Sequence, residues 1–386
     1  MKEVLEKSVY IVDTTLRDGE QAPDVVFEPS EKINIARKLS EIGVDELEIG
    51  IPSMGDEEVS AIKTIVGLKL PVRLTSWCRA KQEDIDAAAI AGTEGVHISF
   101  PVSEIHLATL NKNSQWVLDE MMTLVPRAKK RFGFVSIGAQ DATRVEVEFL
   151  KHFAQAAEAA GADRLRIADT VGISTPMAVF RIISEIQAAS AINLEFHAHN
   201  DLGMATANAF MAVEAGCHAV SVTALGLGER AGNAALEELA MALKLSGKYK
   251  TKITPTGLQS LCQMVADASG RKIHAQKPVV GKAAFQHESG IHCAALLKNP
   301  NTYQPFLPEE IGKTSAELVI GKHSGTAAIS HVLKQRGISI EQSEARILLP
   351  LVRRYAGDKK RAITSDELES VYRSCYNLNG NRESEH

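Results

Sequence analysis

Long apolar runs are missing from this chain: nowhere do about eighteen apolar residues stand together, which excludes a membrane-spanning helix of ordinary length. Cysteine is sparse. The five cysteines, Cys78, Cys217, Cys262, Cys293 and Cys375, are widely spaced and form no CxxC pair, so reduced thiols are expected rather than a disulfide framework. Charge of one sign is equally scarce. With a net charge of -5 and lysines and arginines scattered among the acids, there is no broad basic face for nucleic acid and no polybasic tract for a membrane surface. Met1 to Ser8 is charged and lacks the apolar core of a signal peptide, so a cytoplasmic protein is expected. What is present is a 386-residue chain, 45% hydrophobic, enough for one large domain with a smaller appendage and small molecules as partners.

The most informative local feature is His197-Ala198-His199, at the end of the apolar run Ile192 to Phe196 and followed by Asn200-Asp201-Leu202-Gly203. Imidazoles two residues apart on an extended strand point to one side, so one metal ion can take both nitrogens. Asp18, directly after the strand-like run Val9 to Asp13, supplies a candidate third ligand. A carboxylate and two imidazoles leave open positions on a divalent ion. Such a donor set, without thiolates, fits Mg2+, Mn2+, Co2+ or Zn2+.

Eight β-type runs recur before residue 250: Val9 to Asp13, Glu46 to Ile49, Val72 to Ser76, Gly95 to Ser99, Phe134 to Gly138, Arg164 to Ala168, Asn193 to His197 and Ala219 to Val222. Each is followed by a stretch of helical period. In the first, Ser30 is the expected cap, Ile33, Ile35, Ala36, Leu39 and Ile42 form a stripe, and Gly43 ends it. Strict strand-helix alternation implies parallel strands. Eight units suit a closed (β/α)8 TIM barrel better than an open doubly wound sheet. In such a barrel chemistry gathers after the strands, and there stand Arg17, Asp18 and Glu20, Glu48, Arg79, His97, Gln140, Thr170, the two histidines and the Gly226 to Asn233 loop.

The expected organisation is a catalytic barrel over 1–250, a linker and lid segment over 251–325, a small helical region over 326–376 and a disordered polar tail over 377–386. Pro255 to Gly270 reads as a helix leading away from the barrel. His287 to His292 and Asn299 to Tyr303 form a loop-rich segment suited to a lid.

A divalent ion with free positions can hold a 2-oxo acid through its keto and carboxylate oxygens. Arg17 is then placed to stabilise the alkoxide that develops, and His292 or His287 could remove a proton from the attacking carbon.

Arg17-Asp18-Gly19-Glu20-Gln21 with Lys32 beyond it, Leu194 to Gly203, and the Gly226 to Asn233 loop together resemble the 2-isopropylmalate and homocitrate synthase family, over about Val9 to Gly325. The resemblance implies a (β/α)8 enzyme, an acyltransferase that condenses acetyl-CoA with a 2-oxo acid and releases CoA. It implies one divalent metal ion held by Asp18, His197, His199 and Asn233. It places Arg17 on the substrate carbonyl, with substrate contacts from Glu48, Arg79, His97, Gln140 and Thr170. His292, with Glu20 or Tyr303 nearby, is the implied base, and a homodimer is the implied assembly.

Leu47 to Gly55, Trp77-Cys78-Arg79 and Phe100 to Ser103 look like the homocitrate synthases associated with nitrogen fixation. Too few residues follow Gly325 for the regulatory domain that isopropylmalate synthases commonly carry, so feedback inhibition through one is not expected. Two departures stand out: Gln140 replaces a common glutamate, and Ser136 replaces the arginine of lysine-pathway homocitrate synthases. A second acceptor carboxylate therefore needs another partner, from Arg79, Arg144 or Arg166. The rival readings are the same chemistry on 2-oxoisovalerate or pyruvate, the reverse lyase reaction, and a non-catalytic metabolite-binding barrel.

Overall fold

The computed structural model describes residues 6–380, with side chains as far as residue 376. Its strands are short because each needs only to cross one barrel wall. They are β1 (Tyr10–Asp13), β2 (Glu46–Glu48), β3 (Arg73–Arg79), β4 (Gly95–Pro101), β5 (Phe134–Gln140), β6 (Arg164–Asp169), β7 (Asn193–Ala198) and β8 (Ala219–Val222). All pair in parallel in sequence order, and β8 closes on β1, giving the expected barrel.

The intervening helices, α1 (Pro29–Ile42), α2 (Asp56–Gly67), α3 (Gln82–Ala91), α4 (Glu104–Thr109), α5 (Ser114–Lys129), α6 (Val147–Ala160), α7 (Pro176–Ala189), α8 (Ala205–Glu214) and α9 (Leu236–Ser246), cover the wall with apolar stripes. In α1 (Pro29–Ile42), Ile35, Ala36, Leu39 and Ile42 are buried at the spacing of one helix face. Its start corrects the expected cap. Pro29 takes the first helical position, and Glu28 and Glu31, not Ser30, exchange the capping bonds. Its end is as expected: Gly43 adopts φ 95, and a β-carbon there would strike the Lys252 carbonyl.

The barrel interior departs from the usual branched aliphatic filling. Alternate residues of β2, β6 and β7 point inward with period two, and they are Glu46 and Glu48, Arg164 and Arg166, and Glu195. The Arg164 guanidinium lies 2.7 Å from both Glu46 Oε1 and Glu195 Oε2. Arg166 lies 2.6 Å from Glu195 Oε1 and 2.8 Å from Glu48 Oε2. Glu48 also receives Arg17 at 2.6 Å. Three arginines and three glutamates thus form one buried, charge-balanced ladder up the barrel axis.

The first compact unit runs to Ile273, beyond the boundary expected at residue 250. The reason is α10 (Leu258–Ala268), whose Leu258, Leu261, Cys262 and Val265 are fully buried and whose body packs on α1 instead of leading away. A second unit begins at His274. It contains α11 (Gly290–Leu296), a parallel pair of Gln286–His287 with Glu317–Leu318, and three helices, α12 (Thr326–Gln335), α13 (Gln342–Lys359) and α14 (Ser365–Gly380). Ile329, Leu333, Leu348, Val352 and Leu368 fill its own core. The tail expected from Asn377 therefore starts inside α14, and residues 381–386 lie outside the described residues. Among the described residues no helix is long and apolar enough to cross a membrane.

Candidate metal centre and substrate cavity

His197 sits on β7 and His199 just beyond it, so the strand's alternation turns both rings to the barrel mouth. Their Nε2 atoms approach to 3.3 Å. Asp18 Oδ2, from the turn after β1, lies 3.1 Å from His197 Nε2 and 3.8 Å from His199 Nε2. One donor atom from each of the three falls within 4.8 Å of the others. Asn233 enters because its backbone pairs antiparallel with that of His199. Its Nδ2 donates to the Leu227 carbonyl at 3.2 Å, while its Oδ1 is buried without a hydrogen-bond partner.

The charge states suit a cation. Burial opposes ionisation of Asp18, yet Arg17 and the adjacent His197 hold its carboxyl well below the usual range. Burial, helped by neighbouring His197, pushes the His199 imidazole down to about 4, so it is neutral and keeps a lone pair near pH 7. A carboxylate, two imidazoles and an amide oxygen left unbonded in the interior fit a divalent ion. Those residues could hold one.

A cavity of about 370 Å³ opens beside this group at the C-terminal end of the strands. Of the expected substrate contacts, Arg17, His97, Gln140 and Thr170 line it. His97 Nδ1 lies 3.0 Å from the Ser136 hydroxyl, and burial together with the Arg166 charge holds its ring well below the usual histidine range. The Thr170 hydroxyl accepts from the Asp141 amide at 2.8 Å.

Several expected site residues lie outside the cavity lining. Glu48 is fully buried outside the cavity lining, where it grips Arg17 and Arg166. Arg79 turns away, bound through Nε and Nη2 to Asp84 at 2.8 Å, and is half exposed outside the cavity lining. Glu20 is held by Lys32 at 2.6 Å and by the Phe27 amide, also outside the lining. His292 and Tyr303 belong to the second unit, where their rings stack at 3.9 Å. The cavity also includes Trp77, Ser99, Gly138 and Arg230, which the strand-end reading did not name as contacts. Arg230 is tied to Asp201 at 2.7 Å and to the Thr170 carbonyl at 2.7 Å.

A model of the HMGL-like family matches residues 8–265, well over half of the chain. The chain belongs to that family. In this HMGL-like protein, residues 279–360 additionally match the homocitrate synthase post-HMGL domain-like family. It is 48% identical over 368 residues to 2-isopropylmalate synthase 2 of Caldanaerobacter subterraneus, covering 95% of this chain and 96% of that protein. It is 45% identical over 362 residues to homocitrate synthase 1 of Nostoc sp., covering 93% and 96%. Among solved structures, an HMG-CoA lyase from Bacillus subtilis superimposes with a TM-score of 0.63 at 22% identity, over 70% of this chain and 96% of that one, which shows the shared barrel fold. The expectation of an enzyme in the 2-isopropylmalate and homocitrate synthase family is met.

Proposed function

We propose that this HMGL-like enzyme is a homocitrate synthase, joining acetyl-CoA and 2-oxoglutarate, with water, into homocitrate and free CoA. The reading rests on one arrangement above all: a cavity with Asp18, His197 and His199 at its mouth, Arg17 at its side and hydrogen-bonding groups on its floor. A divalent ion held by those three and Asn233 would polarise the keto carbonyl of the acceptor.

The protein groups account for the rest. Arg17, fixed by Glu48 at 2.6 Å and lying 5.8 Å from the Trp77 ring centre, is aimed so that its remaining N–H groups meet the oxygen that gains negative charge. Thr170 and Gln140 line the wall that orients the acceptor. The acetyl methyl loses a proton to the base, its carbon bonds to the keto carbon, and the keto oxygen takes up a proton. Water then cleaves the thioester, leaving a carboxylate and the CoA thiol.

We assign the base to His292. Its ring is half-buried and stacks on Tyr303 at 3.9 Å, and an imidazole carries both a proton-accepting and a proton-donating nitrogen. His292→Ala is expected to lower kcat by about 10²- to 10⁴-fold. Metal content and 2-oxo acid binding, read by elemental analysis and thermal shift, should stay at the parent level. Undiminished turnover would remove His292 from the mechanism.

The relative at 48% identity keeps one second reading in view, condensation with 2-oxoisovalerate. Thiol release from acetyl-CoA with 2-oxoglutarate, 2-oxoisovalerate, pyruvate and 2-oxoadipate separates the two. Preference for 2-oxoglutarate supports homocitrate synthase; preference for 2-oxoisovalerate transfers the assignment to isopropylmalate synthase.

A further inference from the structure

Asn233 reaches the group formed by Asp18, His197 and His199 from the loop after β8, and that loop opens with a turn the chain does not adopt freely. Leu225 stands at φ 62, ψ 4 and Gly226 at φ 69, two successive left-handed residues of which only the second is a glycine. A leucine in that conformation is strained and persists only where its surroundings hold it.

Three buried side chains do so. The Leu225 amide donates at 3.0 Å to Oε2 of Glu237, in the first turn of α9. The Ala224 amide donates at 2.9 Å to Thr15 Oγ1, and that hydroxyl donates at 3.1 Å to Asp13 Oδ2. The Thr15 amide donates to the other Asp13 oxygen at 2.8 Å. Asp13, Thr15 and Glu237 are all fully buried. Burial, with the Glu237 charge added, pushes the Asp13 carboxyl up to about 7 against the pull of its Thr15 bonds. Two carboxylates are thus buried within reach of each other's charge, an arrangement that costs stability and calls for a role.

From this turn the contacts run on to Asn233. The Gly226 carbonyl accepts from the Asn233 amide at 2.9 Å, and the Leu227 carbonyl accepts from its Nδ2 at 3.2 Å. The carbonyls that leave the strained turn therefore set both the backbone and the side chain of Asn233. Its Oδ1 remains, buried and without a hydrogen-bond partner among the described residues.

We infer that Glu237 and the Asp13–Thr15 pair are positioning residues for the metal centre: by clamping the turn at Leu225 and Gly226, they aim Asn233 Oδ1 at the ion. The inference rests on the proposed reading in which Asn233 completes the donor set. None of the three residues lines the cavity, so their effect passes through Asn233.

The test titrates Mn2+ into chelator-stripped, full-length protein without substrate, reading free Mn2+ by its electron paramagnetic resonance signal, with thermal unfolding of the metal-free protein alongside. Glu237→Met keeps the length of the side chain but not the acceptor, and should weaken Mn2+ binding by about 10- to 100-fold. Thr15→Val keeps the shape but not the hydroxyl and should do the same, whereas Thr15→Ser should bind at the parental level. Asn233→Ala should weaken binding at least as much, and adding Thr15→Val to it should weaken it no further. If Glu237→Met does not fold, the Thr15 series carries the test. Parental affinity in the folded Glu237→Met and Thr15→Val variants, or a full further loss when Thr15→Val is added to Asn233→Ala, overturns the inference and leaves the metal centre standing. A parent that takes up no Mn2+, or an Asn233→Ala variant that binds it as tightly as the parent, overturns the reading of the centre first.

Discussion

Alanine at His197 is expected to remove bound metal and turnover together. His197 Nε2 is within 3.1 Å of Asp18 and 3.3 Å of His199, so its ring is the middle of the donor group. Without it, Asp18 and His199 keep neither the geometry nor the number of donors that a divalent ion requires at neutral pH. Turnover should drop by about 10³-fold or more, since the group that activates the acceptor goes with the ion. The fold should survive, because the ring faces the cavity and the ladder below it is untouched. Metal content by elemental analysis and CoA release on the same preparation check both halves. A variant that retains full activity removes His197 from the metal assignment.

The largest expected stability effect lies in the ladder. Glu195→Leu deletes the carboxylate that lies 2.7 Å from Arg164 and 2.6 Å from Arg166 and accepts from the Ser221 hydroxyl. Breaking a buried pair by removing one partner costs about 3–5 kcal/mol, because two guanidinium groups stay desolvated with less compensation. Domains of this kind have about 5–15 kcal/mol in total, so the loss should be plain in a urea melt. The pH response should change with it. Burial opposes ionisation of Glu195, yet Arg164 and Arg166 lower it from the ordinary 4.5 to about 2. A carboxyl depressed in the folded state contributes stability that is full above about pH 4.5 and is lost as pH falls towards 2. The parent should therefore weaken steeply across that window, and the variant, already weakened, should show a shallower slope there. Equal melts at pH 7 would show that the ladder is energetically idle.

The architecture was readable because its signals are local. Eight short apolar runs, each followed by a 3.6-period stripe and often a glycine such as Gly43, admit few topologies other than the barrel. The end of the barrel unit was not local. Leu258, Leu261 and Val265 make the same stripe whether their helix caps the barrel or leaves it, and only packing on α1 decides.

The site divides in the same way. Asp18, His197 and His199 were legible because a histidine pair at a strand end has a face as well as a position. The partners of Glu48 were not legible, because a polar residue in a barrel strand can either face the cavity or hold another side chain, and Arg17 and Arg166 are distant in sequence. The alternation Glu46-Leu47-Glu48 against Arg164-Leu165-Arg166 was the available signal for an internal ladder. Arg79 follows a different rule. It was captured by Asp84 in the first turn of α3 (Gln82–Ala91), and Trp77 lines the cavity instead.

The most direct test is CoA release coupled to product detection, run on protein stripped with a chelator and then resupplied with a divalent ion, with acetyl-CoA and 2-oxoglutarate. The account predicts no release while stripped, and equal amounts of CoA and homocitrate once the ion returns. Undiminished release from the stripped protein, or CoA set free without homocitrate, would contradict it.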